Sequence, residues 1–170
     1  MVRTGRHPHQ VNIEPHLGAL VRYLEAQQDV LAAYIYGSYG TRDQTPLSDV
    51  DIALLFYRDK LPGRRRLLSL EADASAICCE NDVNLLCLNE ADVILQFRVL
   101  QTGRVLLEKE PDAVADFREY VFRVHGDFEP FYRAFCLERD QALREVYSRD
   151  RPGQGTAEGR LPPQEHRDAP

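Results

Sequence analysis

The sequence predicts an α/β (α+β) fold: a small mixed sheet flanked by helices, with a helical extension at its C-terminal end. Three observations predict it. Apolar runs at 30–36 and 50–56 have the length and the β-branched or aromatic content of buried strands, and 82–88 reads as a third strand. Stretches with apolar residues at helical spacing alternate with them. One such helix lies between the second and third runs, so the chain returns to the sheet through a helix. The expected organisation is a frayed N-terminus (1–12), an α/β domain (13–110), a C-terminal helical extension (111–147) and a disordered tail (148–170).

Each element has its own signals. Residues 1–12 are polar, and His7-Pro8-His9 reads as part of a mobile tail. Pro15 suits the first turn of a helix, which Leu17, Leu20, Val21 and Leu24 carry to about Gln27. Arg22 and Glu25 on that helix are expected to face water. Val30 to Tyr36 is the first strand. Gly, Ser, Thr, Asp and Pro crowd the loop after it. Val50 to Phe56 is the second strand. A second helix spans about Arg64 to Cys79, with Leu67, Leu70, Ala74 and Ile77 as its apolar stripe. Its opening Arg64-Arg65-Arg66 reads as a phosphate patch or as a solvated face. Asp82 to Leu88 is the third strand. A helix follows from Glu90 to Thr102, with Asn89 as N-cap and Gly103 as its stop. Arg104 to Leu107 is a short last strand. Pro111-Asp112 opens another helix, which Gly126 and Pro130 are expected to interrupt. A further helical stretch covers Phe131 to Tyr147. Phe128, Phe131, Tyr132 and Phe135 either close the core or form a partner surface.

The stretch from Tyr36 to Phe56 carries the chemistry. Side chains alternate across a strand, so Asp49 and Asp51 share one face with Ala53 and Leu55. Aspartate is depleted in strands, and two like charges on one face repel unless a cation lies between them. A hard divalent ion explains the pair, because Mg²⁺ takes oxygen ligands and leaves positions for substrate phosphates. Gly37 and Gly40 allow the loop backbone to adopt positive φ and to approach an anion. Ser38 adds a hydroxyl donor, and Arg42 either reaches a phosphate or stays solvated. Tyr36 and Tyr39 bracket the turn and either stack on a base or pack.

Gly37-Ser38, a ten-residue interval and Asp49-Val50-Asp51 resemble the signature of the polymerase-β nucleotidyltransferase superfamily. The wider Gly-Ser-Tyr-Gly … Thr-Pro-Leu-Ser-Asp-Val-Asp is similar to the minimal, MntA-like branch, whose members are antitoxins paired with HEPN-domain (HepT-like) toxins. Asn89-Glu90-Ala91, Phe97-Arg-Val-Leu and Gly103-Arg-Val-Leu-Leu extend the likeness. The resemblance implies a polymerase-β-type fold, two Mg²⁺ ions and ATP as substrate. The implied reaction is AMP transfer to a tyrosine hydroxyl of the cognate toxin. It implies Gly37, Ser38 and Arg42 as nucleotide-binding residues and Asp49, Asp51 and Asp82 as catalytic metal ligands. A third carboxylate is expected on the neighbouring strand. Counting back from Leu88-Asn89 reaches Asn84, two residues from Asp82 and on the same face. An Asn84 in that slot offers a cation only a carbonyl oxygen and cannot act as a base.

Composition narrows the partners. A net charge of −6 over 170 residues disfavours a general nucleic-acid surface, so a protein or a small molecule is the expected acceptor. No run is long and apolar enough for a membrane span or a signal peptide. Cys78, Cys79, Cys87 and Cys136 lack zinc-ligand spacing and read as buried thiols of a prokaryotic cytoplasm. Two other functions fit the same residues. One is an antitoxin with a degenerate site that neutralises its toxin by contact. The other is a small-molecule, antibiotic-type nucleotidyltransferase, for which residues 111–147 are a small second domain.

Overall fold

The computed structural model of the chain describes residues 11–149. The elements run α1 (Leu17–Glu25), β1 (Val30–Tyr36), β2 (Val50–Phe56), α2 (Arg64–Cys78), β3 (Val83–Cys87), α3 (Val93–Thr102), β4 (Arg104–Glu108) and α4 (Pro111–Arg149), with 3-10 turns at Glu14–His16 and Leu88–Glu90. The strands form one mixed sheet in the order β3-β2-β1-β4. β1 is antiparallel to β2 and to β4, and β2 is parallel to β3. A parallel pair needs a crossover connection, which α2 provides. β3 lies at the sheet's edge, and the Leu85 N–H donates to Glu71 on α2, so that edge donor is paired within the fold.

Both faces of the sheet are covered, which is why β1 and β2 read as nearly unbroken apolar runs. Val50, Ile52, Leu54 and Phe56 pack with Leu20 and Leu24 of α1 and with Leu70, Ala74 and Cys78 of α2. Ala53 and Leu55 point the other way, to Val99 and Leu100 of α3 and Val114 and Val121 of α4. The alternation along β2 therefore puts Asp49 and Asp51 on the α3/α4 side, where the cover stops short of them.

The structure corrects several expectations. Val11 and Ile13 are fully buried, so the ordered domain begins before residue 13; residues 1–10, with His7 and His9, lie outside the described residues. Asn89 does not cap α3. Its side chain accepts from the Phe56 N–H and donates to the Phe56 carbonyl, extending the edge of β2 as a strand residue would. The cap is Asp92, which accepts from the Leu95 N–H, and α3 starts three residues later than expected. Gly103 is extended, not left-handed; a Cβ there would lie 2.5 Å from the Val99 carbonyl oxygen, so close approach requires the glycine. Gly126 and Pro130 do not interrupt α4; a proline removes one rung of the helical ladder and the neighbouring rungs persist. Cys79 is exposed, at the left-handed end of α2, while Cys78 and Cys87 are buried.

The chain divides into two compact units between Glu129 and Pro130. The first holds the sheet, α1 to α3 and the opening of α4. The second, among the described residues, is the helix from Pro130 onward. Phe131 and Phe135 on it are 76% and 60% exposed. They do not close the core, because no described residue after Val121 is buried. The expected tail from 148 lies almost wholly outside the described residues.

Candidate active site

The site is built on one row across three strands. Tyr36 of β1 is in register with Asp51 of β2, and Asp51 with Asn84 of β3. In-register neighbours project from the same face of a sheet, so the three side chains form a line. Asp49 lies immediately before β2, two residues from Asp51. The Asn84 amide nitrogen donates to both carboxylates, at 3.4 Å to Asp49 Oδ2 and 3.3 Å to Asp51 Oδ1. The two acids therefore converge within two hydrogen-bond lengths of each other. With its oxygen turned toward them the amide would face two anions, so the donor orientation is the favoured one.

The glycine turn closes over this pair. Gly37 has φ of 81°, and a Cβ there would lie 2.7 Å from Asp51 Oδ2. Only glycine allows both the left-handed backbone and the contact. Gly40 also has positive φ. The Ser38 hydroxyl donates to Ser48 Oγ at 2.9 Å, and the Thr45 N–H donates to the same oxygen. Those bonds join the two ends of the loop just before Asp49. Thr41 returns its N–H and hydroxyl to the Ser38 carbonyl. Tyr39 is buried, and its oxygen accepts from the Ile13 N–H at 2.8 Å. Gln44 links the Gly40 N–H to the Val11 carbonyl. The loop is thus held from behind by the N-terminal segment and left open in front.

Electrostatics follow from this placement. Burial holds the Asp51 carboxyl above its ordinary value; the Asn84 hydrogen bond works against that, and repulsion from Asp49 adds to it. Burial, then the Asp51 charge, likewise raises the Tyr36 hydroxyl.

The expected site residues separate into two groups. Gly37, Ser38, Asp49 and Asp51 come together. Arg42 is exposed and makes no hydrogen bond or ion pair among the described residues. Asp82 precedes β3, its carbonyl accepting from the Val50 N–H. Among the described residues no three His, Cys, Asp or Glu side chains gather into a metal-binding group. Asn84, in register with Asp51, is the β3 side chain that hydrogen-bonds both aspartates. Tyr39 is a core residue and not a base-stacking one. Ser48 escapes the sequence reading, although it stands directly before Asp49. Arg66 is no free phosphate ligand either: it makes a two-pronged ion pair with Asp29. A cavity of about 880 Å³ opens on the same sheet face but at the far end of β2, lined by Leu55, Tyr57, Gln96, Phe117 and Tyr120 and by none of the site residues.

The donor set fits a hard divalent ion. Two carboxylate oxygens point at one place, a neutral amide takes up their lone pairs there, and that amide carries a carbonyl oxygen that rotation would present. Paired strand carboxylates facing a glycine turn on a mixed sheet define the nucleotidyl-transfer class of enzyme. The sequence model of that class, polymerase β and nucleotidyltransferases, matches residues 19–112. The chain belongs to the polymerase-β nucleotidyltransferase family. Its fold is similar to three solved toxin–antitoxin structures. One, with AMP-PNP, has 22% identity and a TM-score of 0.52, covering 79% of this chain and 98% of that one. The second is the tri-AMPylated Shewanella oneidensis HEPN toxin in complex with MNT antitoxin (20%, TM-score 0.53, 80% and 99%). The third is a mutant form of the MntA–HepT toxin–antitoxin pair (24%, TM-score 0.52, 81% and 99%). No curated protein matches the chain significantly. Among the described residues no helix is long and apolar enough to cross a membrane.

Proposed function

We propose that this chain is a Mg²⁺-dependent protein adenylyltransferase that moves AMP from ATP to a tyrosine hydroxyl of a cognate HEPN-type toxin, and so acts as its antitoxin. The observation that carries the reading is the convergence of Asp49 and Asp51 beneath the Gly37 turn. Family membership supports nucleotidyl transfer. The likeness in fold to chains crystallised with AMP-PNP and with an AMPylated HEPN toxin supports the nucleotide and the acceptor.

Asp49 and Asp51 would hold the metal, with Asn84 beside them. Bound there, Mg²⁺ would supply positive charge to the phosphates and to the departing pyrophosphate. Gly37 keeps the space over Asp51 clear. Ser38 and the backbone of its turn would meet the outer phosphates. In the reaction the tyrosine oxygen forms a bond to the α-phosphorus as the α–β anhydride bond breaks. Pyrophosphate leaves, and the phenolic proton passes to solvent. The residues tied behind the loop, Tyr39 and Gln44, position it without touching substrate.

The test mixes the full chain, ATP labelled at the α-phosphate, Mg²⁺ and the product of the adjacent gene. Label on a tyrosine of that partner, lost in Asp51→Asn, is the expected result. One observation favours a second reading. Asn84 stands where the resemblance implies a carboxylate, which suits an antitoxin that works by contact alone. Tight partner binding with no label would select that reading and reject the first.

A further inference from the structure

We infer that Asn84 limits this site to one divalent ion per bound nucleotide, in place of the two that the resemblance implies, and that in the metal-free state its amide substitutes for that ion. The inference rests on the proposed nucleotidyl-transfer reading. Charge comes first. Asp49 and Asp51 share one face of β2 and would repel. The Asn84 amide lies between them and donates to both, the part a cation would play. Both bonds are long for N–H···O contacts, so the amide is a weak bridge that an ion can displace. On displacement the amide can rotate and offer its carbonyl oxygen, a neutral ligand.

The supply of ligands then sets the number of ions. An ion that travels with a triphosphate takes several oxygens from it and needs little from the protein. A second ion, set to bind the acceptor hydroxyl, has few phosphate oxygens to draw on and depends on protein carboxylates. Among the described residues no three His, Cys, Asp or Glu side chains gather into a metal-binding group, and the residue in register with Asp51 is the neutral Asn84. The site has enough fixed charge for the nucleotide-borne ion and too little for another.

The experiment uses the full chain with Mn²⁺ as the probe ion and a non-hydrolysable ATP analogue, counting bound ions by the loss of the free-Mn²⁺ paramagnetic signal. One ion per chain is expected in the wild type and two in Asn84→Asp. In parallel, the side-chain amide ¹⁵N resonance of wild-type Asn84 is followed as Mg²⁺ and the analogue are added, and it should shift as the bridge breaks. Two ions in the wild type, one in Asn84→Asp, or an unmoved amide resonance each overturn the inference and leave nucleotidyl transfer standing. No bound ion in the wild type overturns both together.

Discussion

Asp51 is in conflict with its own surroundings. It is half-buried, it faces Asp49, and the side chain that hydrogen-bonds it is an amide at 3.3 Å. Burial raises its pKa, so the folded chain binds a proton more readily than the unfolded chain does. Below the ordinary carboxylate pKa, about 4, both states are protonated and the cost vanishes. As pH rises through the window between that value and the raised one, stability is lost, and above the window the loss is complete. Asp51→Asn should therefore melt higher than the wild type at pH 7 without ligand. The gap should close on acidification below about pH 4. The same variant should lose at least about 100-fold in transfer rate, the scale of removing one electrostatic partner from a transition state. Thermal melts across pH and a labelled-ATP assay check the two halves; a variant that melts lower at pH 7 contradicts the first. Gly37 presents the opposite case. Gly37→Ala places a Cβ 2.7 Å from Asp51 Oδ2 in a left-handed backbone. The backbone alone costs about 1–2 kcal/mol, and the carboxylate must also move. Activity and denaturant stability should fall together, and unchanged activity would show that the turn does not set the position of Asp51.

Among the elements, what could be read from sequence was what depends on one segment's own pattern. The apolar runs marked β1 and β2, and period-two alternation put Asp49 and Asp51 on one face before any sheet was known. Positions decided by a partner far along the chain were not legible. Asn89 looks like a cap because it precedes a helix, yet its amide completes the edge of β2, 33 residues away in sequence. Tyr39 looks like a base-stacking residue until Ile13 donates to it across the fold. Whether Asp82 or Asn84 meets the aspartates depends on the β2/β3 register, which the hydrophobic pattern alone leaves open by two residues. Ser48 offered one signal, its place directly before Asp49, but its link to Ser38 belongs to the folded loop. Arg66 shows the same limit and gives a prediction. Within a run of three arginines it could not be told from its neighbours. In the fold its guanidinium holds Asp29 at 2.8 and 2.9 Å and Gln27 at 2.9 Å, clamping the start of α2 to the α1–β1 turn. That bond is the main reason the Asp29 pKa is lowered. The associated stability is present above the ordinary carboxylate pKa and is lost as pH falls through the lowered one. Arg66→Lys cannot reproduce the fork and should cost about 0.5–1 kcal/mol at pH 7, the range for a partly exposed pair. Its denaturation midpoint should meet the wild-type value in acid, and a pH-independent difference would mean packing, not the ion pair, is what the arginine supplies.

At the level of the whole molecule, the site spans three strands at one end of the sheet and does not belong to a single loop. Tyr36, Asp51 and Asn84 lie on three adjacent strands, and the loop above them is fastened to residues 11–13. A ligand that spans this row links β1, β2, β3 and the N-terminal segment, so its binding energy should be felt by the whole first unit. Binding to the folded state alone adds about 2.7 kcal/mol at one hundred times Kd. For a chain of this length that is about 5–10 °C in melting temperature. Mg²⁺ with a non-hydrolysable ATP analogue should give a shift of that order, and either component alone should give less, because the metal-free pair is already bridged by Asn84 and the metal-free triphosphate meets two carboxylates. Chelation with EDTA should reverse it. In the Asp49→Asn, Asp51→Asn double variant the ligand-dependent shift should disappear, while the ligand-free melt should stay at or above the wild-type value, since the repelling pair is gone. Calorimetric scans with and without ligand distinguish these outcomes. An equal ligand shift in the double variant would place the nucleotide away from β2, and the assignment of the two aspartates as its metal anchor would then be wrong.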